Sequence, residues 1–289
     1  MKRIARALRR GVLLASAVLL ALLGCKKAEP PQVEAPSKQA FELAQRMLGK
    51  VYKQQRYAYP LPYRLFVPAG YDSSKRYPLV LYLHGAGGWG TDNVRHLNDD
   101  VAQLISSQVQ ALEASFVLAP QCPSTDQWVN GAHSVPFLNY VQANVPESDA
   151  ARQTLQVLQE VERDYSVDKA RVYITGPSMG GAGTWDYITR YAGLFAAAIP
   201  INGVNDPSRA ATIATLPIWA FHGANDPVSP VSNTRTMVAA LRKLGSTLRY
   251  SELPQAGHDC SAAAYHDLDV MRWMLAQRRA DAAERAATH

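Results

Sequence analysis

A serine in the middle of the chain stands in a setting that suits a nucleophile. Ser178 lies in the stretch "GPSMG", with Gly176 and Gly180 two positions away, after the apolar run Val172–Thr175 and before a segment of helical period. Glycines at these positions allow a sharp strand-to-helix turn that exposes the serine hydroxyl, because a Cβ would clash there. The helix N-terminus that follows favours developing negative charge. We therefore expect Ser178 to act as a nucleophile.

A carboxylate and an imidazole follow two later apolar runs. Asp226 comes after one run and His258 after the next. A serine hydroxyl becomes nucleophilic when an imidazole takes its proton, and a carboxylate holds that imidazole in the correct tautomer. The order of these residues predicts a triad of Ser178, Asp226 and His258. Asp206 is the rival acid, although its "NDP" context also suits a turn or a helix cap.

A glycine-rich stretch follows an earlier apolar run, Leu79–Leu83. The letters "HGAGGWG" place Gly85, Gly87 and Gly90 in the G-x-G-x-x-G spacing of dinucleotide-binding turns. Such a site needs an acidic residue at the end of the next strand, but the next run ends in "APQCP". The stretch instead suits an oxyanion hole, in which this loop and the residue after the nucleophile each supply a backbone N–H. We assign these donors to Ala86 and Met179.

Apolar runs of strand length alternate with segments of helical period from Tyr77 onward. The runs are Leu79–Leu83, Phe116–Ala119, Val172–Thr175, Ala196–Ile201, Ile218–Phe221 and Leu248–Leu253. The helical segments are Val101–Leu112, Thr154–Tyr165, Gly181–Tyr191, Asn233–Leu244 and Tyr265–Ala287. This alternation predicts an α/β fold with a mostly parallel central sheet and helices on both faces. The carboxyl ends of its strands would then bring the three triad residues to one edge.

The first 40 residues differ from the rest of the chain. Five basic residues, the apolar run Gly11–Leu23 and a small residue before Cys25 predict a secretory signal peptide over residues 1–24. The ending "LLGCKK" resembles the lipobox of bacterial lipoproteins, although Leu23 stands where a small residue is commoner. The resemblance implies a lipid on Cys25 and a place in the bacterial cell envelope, periplasmic or surface-facing. An ordinary signal peptide with a chance cysteine is the alternative.

The net charge of the chain without its first 24 residues argues against a nucleic-acid partner. Removing residues 1–24 takes away five positive charges and no negative ones, so the formal net charge falls from +6 to +1. This leaves no basic excess for nucleic acid, and the sequence specifies no oligomeric state. The proline-containing segment 25–40 predicts an extended tether, and residues 41–289 suffice for a single catalytic domain.

Two cysteines and several histidines remain in that domain. Cys122 and Cys260 are a candidate disulfide in an oxidising compartment, and two reduced, buried thiols are the alternative. His84 is expected to brace the glycine-rich loop, and His222 is expected to be structural. The sequence contains no H-E-x-x-H or other spaced ligand set, so we expect neither a metal nor a cofactor.

Five ordered stretches carry a resemblance to a known superfamily. They are "LYLHGAGGWGTDN", "VLAPQCP", "ITGPSMGGAGTWDY", "FHGANDPVSP" and "GHDCSAAAY". From roughly Tyr63 to Met274 the chain resembles the α/β-hydrolase esterases. Within them it resembles the secreted phospholipase/carboxylesterase-like, or predicted peptidase, branch related to polyhydroxybutyrate depolymerases and to feruloyl and acetyl esterases. The resemblance implies an α/β-hydrolase fold and a serine carboxylesterase that forms an acyl-enzyme.

The resemblance also assigns residue roles. It implies Ser178 as nucleophile, Asp226 as acid and His258 as base, with the amides of Ala86 and Met179 as oxyanion donors. Two positions depart from the family pattern. The stretch from 87 to 90 lacks the Glu-Arg pair of many relatives, and position 261 is serine where relatives often have tryptophan.

Two tryptophans predict the kind of ester. Trp89, in the glycine-rich loop, and Trp128, after "APQCP", are expected to flank Ser178. The segment Val129–Glu147 is the one candidate for a lid, and it is mixed polar. A small cleft edged by aromatic rings favours a short or aromatic acyl group, in a small-molecule or carbohydrate-linked ester. The alternatives are a serine peptidase with the same triad and a non-catalytic lipoprotein that binds a ligand in the cleft.

Overall fold

An eight-stranded sheet runs through the part of the chain that the structure describes, residues 35–131 and 135–279 of a computed structural model. The strands are β1 (Leu48–Tyr52), β2 (Leu61–Phe66), β3 (Tyr77–Tyr82), β4 (Phe116–Pro120), β5 (Val167–Pro177), β6 (Ala197–Ile201), β7 (Trp219–Gly223) and β8 (Arg249–Leu253). Their order across the sheet is β1-β2-β4-β3-β5-β6-β7-β8. Strand β2 pairs antiparallel with β1 and β4, and the other pairings are parallel. The mostly parallel sheet predicted from the sequence is therefore confirmed.

Helices pack against the sheet. They are α1 (Lys38–Gln45), α2 (Asp99–Leu104), α3 (Ser107–Leu112), α4 (Asp149–Asp164), α5 (Met179–Arg190), α6 (Ser232–Lys243), α7 (Ala262–Tyr265) and α8 (Leu268–Leu275). Short 3-10 turns lie at Ala86–Gly88, Gln142–Asn144 and Pro207–Ile213. Within the described residues, no helix is long and apolar enough to cross a membrane.

Two predicted helices have different bounds in the structure. The segment expected as one helix from Val101 to Leu112 is two helices: α2 ends at Leu104, and Ser106 caps α3 by accepting a hydrogen bond from Val109 N at 3.3 Å. The segment expected as a helix from Tyr265 to Ala287 begins at Leu268 and ends at Leu275, and Asp267 caps its start by accepting from Asp269 N at 2.8 Å. Side-chain caps at Ser106 and Asp267 explain where α3 and α8 begin.

Of the predicted signal peptide and tether, only residues 35–40 lie in the part of the chain that the structure describes. Helix α1 begins at Lys38, where Ser37 accepts a hydrogen bond from Ala40 N at 3.1 Å, so the segment predicted as tether to residue 40 is helical in its last three residues. Cys25 and the predicted signal peptide lie outside the described residues. From Ala35 onward the described residues pack as one compact unit.

The sheet separates two apolar cores. Alternate side chains of β3 point to opposite faces, so Leu79 and Leu81 join one core and Val80 and Tyr82 join the other. Trp128 lies in the first core. Because strand faces alternate with a period of two, residues that are adjacent along the chain contribute to different cores.

Of the two alternatives left open for the cysteines, the structure shows the reduced, buried thiols. Cys122 and Cys260 are both free and buried. Cys122 belongs to the core on one face of the sheet and Cys260 to the core on the other. The Cys260 thiol donates to Asn202 Oδ1 at 3.2 Å, whereas the Cys122 thiol donates to the carbonyl of Pro123 at 3.6 Å. The two cysteines follow the carboxyl ends of β4 and β8, and they join different cores on the two faces of the sheet.

Candidate active site

The turn that carries Ser178 is strained and tightly packed. Ser178 joins β5 to α5 with φ 56° and ψ −116°, a backbone conformation that costs energy for a residue with a Cβ. A Cβ on Gly176 would lie 2.2 Å from the carbonyl oxygen of Leu83, and one on Gly180 would lie 1.8 Å from the same atom. The Ser178 N–H donates to the carbonyl of Ile201 at 2.8 Å. The glycines thus let β3 approach the turn that exposes the serine.

The structure brings the three predicted triad residues into one hydrogen-bonded chain. His258 Nε2 lies 2.7 Å from Ser178 Oγ, and His258 Nδ1 lies 2.7 Å from Asp226 Oδ2. The side chain of Asp226 is fully buried, and that of His258 is 26% exposed. A carboxylate on Nδ1 places the proton there, which leaves the Nε2 lone pair free to accept the serine proton.

Asp226 is held rigidly by its own turn. Its Oδ1 accepts hydrogen bonds from Val228 N at 2.8 Å and Ser229 N at 2.9 Å, which leaves Oδ2 for His258. His222 lies beside it, with Nε2 3.4 Å from Asp226 Oδ2. Burial lowers the pKa of His222, so this imidazole stays neutral, and its nitrogens bond instead to the Ser229 carbonyl and the Thr234 hydroxyl.

The rival acid has a structural role. Asp206 accepts a hydrogen bond from Ser208 N at 3.0 Å and caps the 3-10 turn Pro207–Ile213. Its other oxygen accepts from Gln142 N at 2.8 Å. Both carboxylate oxygens are thus engaged by backbone N–H groups, which matches the cap that the "NDP" context suggested.

Two backbone N–H groups border the serine. Ala86 begins the 3-10 turn that follows β3, and Met179 is the first residue of α5, so neither N–H has a partner inside its own helix. Among the residues that the structure describes, neither N–H donates a hydrogen bond. Ala86, Met179 and Ser178 line one cavity. The expected oxyanion donors therefore lie beside the nucleophile with free hydrogens.

His84 braces the loop that carries Ala86. The Cys122 N–H donates to His84 Nε2 at 3.0 Å, and His84 Nδ1 donates to the carbonyl of Gly85 at 2.6 Å. Burial lowers the pKa of His84 to about 4, so the ring is neutral at physiological pH. One nitrogen accepts and the other donates, which is the pattern of a single fixed tautomer.

Trp128 does not flank the substrate as predicted. Its side chain is fully buried, its Nε1–H donates to the carbonyl of His84 at 2.9 Å, and its indole meets the His84 ring edge-on at 5.1 Å. The close approach of α5 holds it there, because a Cβ on Gly183 would lie 2.7 Å from the Trp128 Cβ. Trp128 is therefore part of the support beneath the Ala86 loop. Trp89, by contrast, lies in the wall of the cavity at Ser178.

Ser178 lies between two cavities of different character. One, of about 70 Å³, is mostly apolar and is lined by Ala86, Trp89, Gln127, Val129, Gly131, Phe137, Ser178, Met179, Ala182, Asn202, Val204 and Ser229. The other, of about 520 Å³, is lined by more charged and polar side chains, which include Arg95, Asn98, Asp100, Asp259 and Ser261. His258 lines the polar cavity only. We call them the apolar pocket and the polar cleft.

Sequence reasoning missed several residues of the apolar pocket. Phe137 is fixed there by backbone bonds, since its N–H donates to Val228 O and its carbonyl accepts from Asn233 Nδ2, each at 2.8 Å. Asn202 directly follows β6, and a polar residue at a strand end was the available signal for it. Among the described residues, no group of three or more His, Cys, Asp or Glu side chains is placed to hold a metal ion.

Comparisons with known proteins identify the family of this chain. The model of the dienelactone hydrolase family matches residues 110–287, which is more than half of the chain and includes Ser178, Asp226 and His258. The chain belongs to the dienelactone hydrolase family. A solved structure described as a thermostable esterase matches this family member with a TM-score of 0.74 and 33% identity, over 82% of this chain and 64% of that one. The α/β-hydrolase fold expected from the sequence is thereby confirmed.

Two further relatives of this dienelactone hydrolase family member are named as esterases. A probable feruloyl esterase C of Aspergillus terreus is 31% identical over 177 residues, which is 58% of this chain and 56% of that protein. The chain thus spans about half the length of the curated relatives it matches. A solved structure described as a ferulic acid esterase shares the fold, with a TM-score of 0.56 and 18% identity over 79% of this chain and 98% of that one.

Proposed function

We propose that this member of the dienelactone hydrolase family is a serine carboxylesterase. The observation that carries the proposal is the chain of two 2.7 Å contacts from Ser178 Oγ through His258 to Asp226, at a strained turn. The proposed reaction begins when Ser178 Oγ attacks the ester carbonyl and its proton passes to His258 Nε2. The carbonyl oxygen becomes an oxyanion, which the N–H groups of Ala86 and Met179 stabilise.

The second half of the reaction returns the enzyme to its starting state. The tetrahedral intermediate collapses, the bond to the alcohol oxygen breaks, and that oxygen takes the proton from His258. Water then attacks the acyl-enzyme, gives its proton to His258, and releases the acid as the proton returns to Ser178. No cofactor takes part in these steps.

The two cavities support a proposed place for each half of the ester. His258 protonates the leaving alcohol, so the alcohol belongs on the side where His258 is exposed, which is the polar cleft. The acyl group then enters the apolar pocket, beside the proposed oxyanion donors. Trp89 and Phe137 offer flat faces there, and the pocket is small, which supports short or aromatic acyl groups. The names of the feruloyl esterase relatives support the same acyl class.

A panel of esters with one alcohol and different acyl groups tests the proposal. We expect acetyl to butyryl esters and feruloyl esters to exceed decanoyl and longer esters in kcat/KM. Each added methylene gains about 0.8 kcal/mol only while it contacts the pocket wall. Phe137→Ala should move the optimum to longer chains, because it removes part of that wall. Leu138→Ala is the matched control, since this neighbouring side chain is 55% exposed.

Three outcomes would contradict the proposal. An optimum at ten or more acyl carbons would indicate a lipase or phospholipase. Faster cleavage of matched peptide amides than of esters would favour the serine peptidase instead. A shift of the optimum in Leu138→Ala equal to that in Phe137→Ala would show that the assigned pocket does not hold the acyl group.

A further inference from the structure

One buried asparagine, Asn202, is hydrogen-bonded to segments that position the triad residues. Asn202 follows β6 directly and is 1% exposed. Its Nδ2 donates a short hydrogen bond to the carbonyl of His258. Its Oδ1 accepts from Gly223 N at 3.1 Å and from the Cys260 thiol at 3.2 Å. A single amide side chain therefore joins the end of β6 to the end of β7 and to the loop that carries the catalytic imidazole.

The residues at the end of β6 are also hydrogen-bonded, directly or through Gly223, to the segments that carry Ser178 and Asp226. The carbonyl of Ile201, immediately before Asn202, accepts the Ser178 N–H at 2.8 Å. Gly223, which donates to Asn202, also accepts the Asp226 N–H through its carbonyl at 3.3 Å. The residues at the end of β6 thus contact the nucleophile turn, the acid turn and the histidine loop, although the three lie far apart along the chain.

The backbone and the partners both favour asparagine at this position. Asn202 has φ 51°, in the left-handed region that asparagine and glycine tolerate best. The orientation of its amide is fixed by its partners, because the Gly223 N–H requires an oxygen and the His258 carbonyl requires an N–H. Only a planar amide meets both demands at once. An aspartate would place an oxygen against the His258 carbonyl, and a glycine would leave both partners unpaired.

We infer that Asn202 is the positioning residue for His258, an inference that rests on the proposed esterase function. The imidazole is 26% exposed, and its ring bonds only to Ser178 and Asp226 among the described residues. The ring position therefore depends on how its backbone is held, and Asn202 holds that backbone at the carbonyl. Loss of this bond lets His258 move away from Ser178 Oγ, and small misplacements of a catalytic group lower the rate steeply.

Asn202→Gly and Asn202→Asp test the inference. Glycine keeps the left-handed backbone and removes the side chain, whereas aspartate keeps the shape and removes the donor. We expect kcat on a butyryl ester, per active site titrated with a fluorophosphonate, to fall about 10- to 100-fold in Asn202→Gly. The fall should be larger in Asn202→Asp, and KM should change little in either variant, because His258 acts on the chemical step.

Asn93→Gly is the matched control. Asn93 also has a left-handed backbone, φ 59°, and its Nδ2 also donates to backbone carbonyls, those of Lys50 and Tyr63 at 3.1 Å. These partners belong to β1 and β2, which carry none of the triad residues. Asn93→Gly should lower Tm without changing kcat per titrated site. A thermal melt of each variant, with activity measured well below its Tm, separates loss of folding from loss of positioning.

Several results would overturn the inference. Asn202→Gly with a lowered Tm and wild-type kcat would show a structural role only. A raised KM with unchanged kcat would show that Asn202 contacts the acyl group in the apolar pocket. A fall in kcat in Asn93→Gly equal to that in Asn202→Gly would show a general effect of loosening the fold. A wild-type protein that neither reacts with the phosphonate nor cleaves esters would instead overturn the proposed function itself.

Discussion

Three buried histidines differ from His258 in what they do. His84, His96 and His222 are each 1% exposed or less, and each has at least one ring nitrogen that bonds to a backbone or hydroxyl group of the fold. Burial lowers the pKa of all three, to about 4 for His84 and about 3 for His96. They are neutral structural groups, and we expect them to lower the free energy of unfolding when the protein is acidified.

Acidification below about pH 6.5, the unfolded pKa of histidine, should therefore destabilise the protein. A histidine whose folded pKa is lowered stabilises the fold fully above its unfolded pKa of about 6.5, and that stability is lost as the pH falls toward the folded pKa. Between pH 7.5 and 5 the free energy of unfolding should fall by about 2 kcal/mol for each of His84 and His96. His96→Gln keeps a donor for the Ala119 carbonyl and removes the titration, so it should lose about 2 kcal/mol less over this range.

Urea unfolding at a series of pH values measures this difference. The quantity compared is the change in the free energy of unfolding with pH in each of the two proteins. A loss of stability in His96→Gln that is the same at every pH therefore does not affect the comparison. If the variant and the wild type lost stability equally between pH 7.5 and 5, His96 would not be a neutral buried group.

Single residues also show where sequence reasoning succeeds. The meeting of Ser178, Asp226 and His258 was predictable, because each follows the carboxyl end of a strand. Gly176 and Gly180 also marked the sharp turn at the serine. Trp128 was predicted wrongly, because an aromatic residue after a strand has the same sequence pattern whether its ring faces the cleft or the core. Asn202 had no signal of comparable strength, since its contact to His258 joins residues that are 56 positions apart.

At the scale of elements, the site depends on how β3, β5 and α5 meet. The carbonyl of Leu83, just after β3, packs against the turn so closely that Gly180 has no room for a side chain. The apolar runs predicted the six strands from β3 to β8. They did not predict β1, whose residues Leu48 and Val51 are exposed at the sheet edge. They also missed β2, because Pro62 and Arg64 interrupt its apolar residues.

Gly180→Ala tests this packing. A Cβ 1.8 Å from the Leu83 carbonyl oxygen forces the backbone of the turn or of β3 to move. We expect the free energy of unfolding to fall by about 3 kcal/mol or more, at the upper end of overpacking effects. Gly87→Ala is the stability control, because a Cβ on Gly87 meets nothing within 4 Å. Equal unfolding midpoints in urea for Gly180→Ala and Gly87→Ala would contradict the account of the turn.

At the scale of the whole molecule, the sheet performs two tasks. Its carboxyl edge gathers the triad residues from three separate loops, and its two faces separate the cores that contain Cys122 and Cys260. The first task was predictable, because strands that alternate with helices run parallel, so their carboxyl ends lie at one edge of the sheet. The second was not, because the face on which a loop residue lies depends on the register of the strand before it.

The central claim is that Ser178 is a nucleophile activated by His258, and covalent labelling tests it most directly. Intact mass and peptide mapping after reaction with a fluorophosphonate should show one phosphonyl group per wild-type chain, on Ser178. Ser178→Ala should take up none, and Asp226→Asn should react slower by several orders of magnitude, with ~10⁴ as a guide from other triads. Labelling of Ser178→Ala at the wild-type rate, or a label on Ser229 in the same pocket, would contradict the claim.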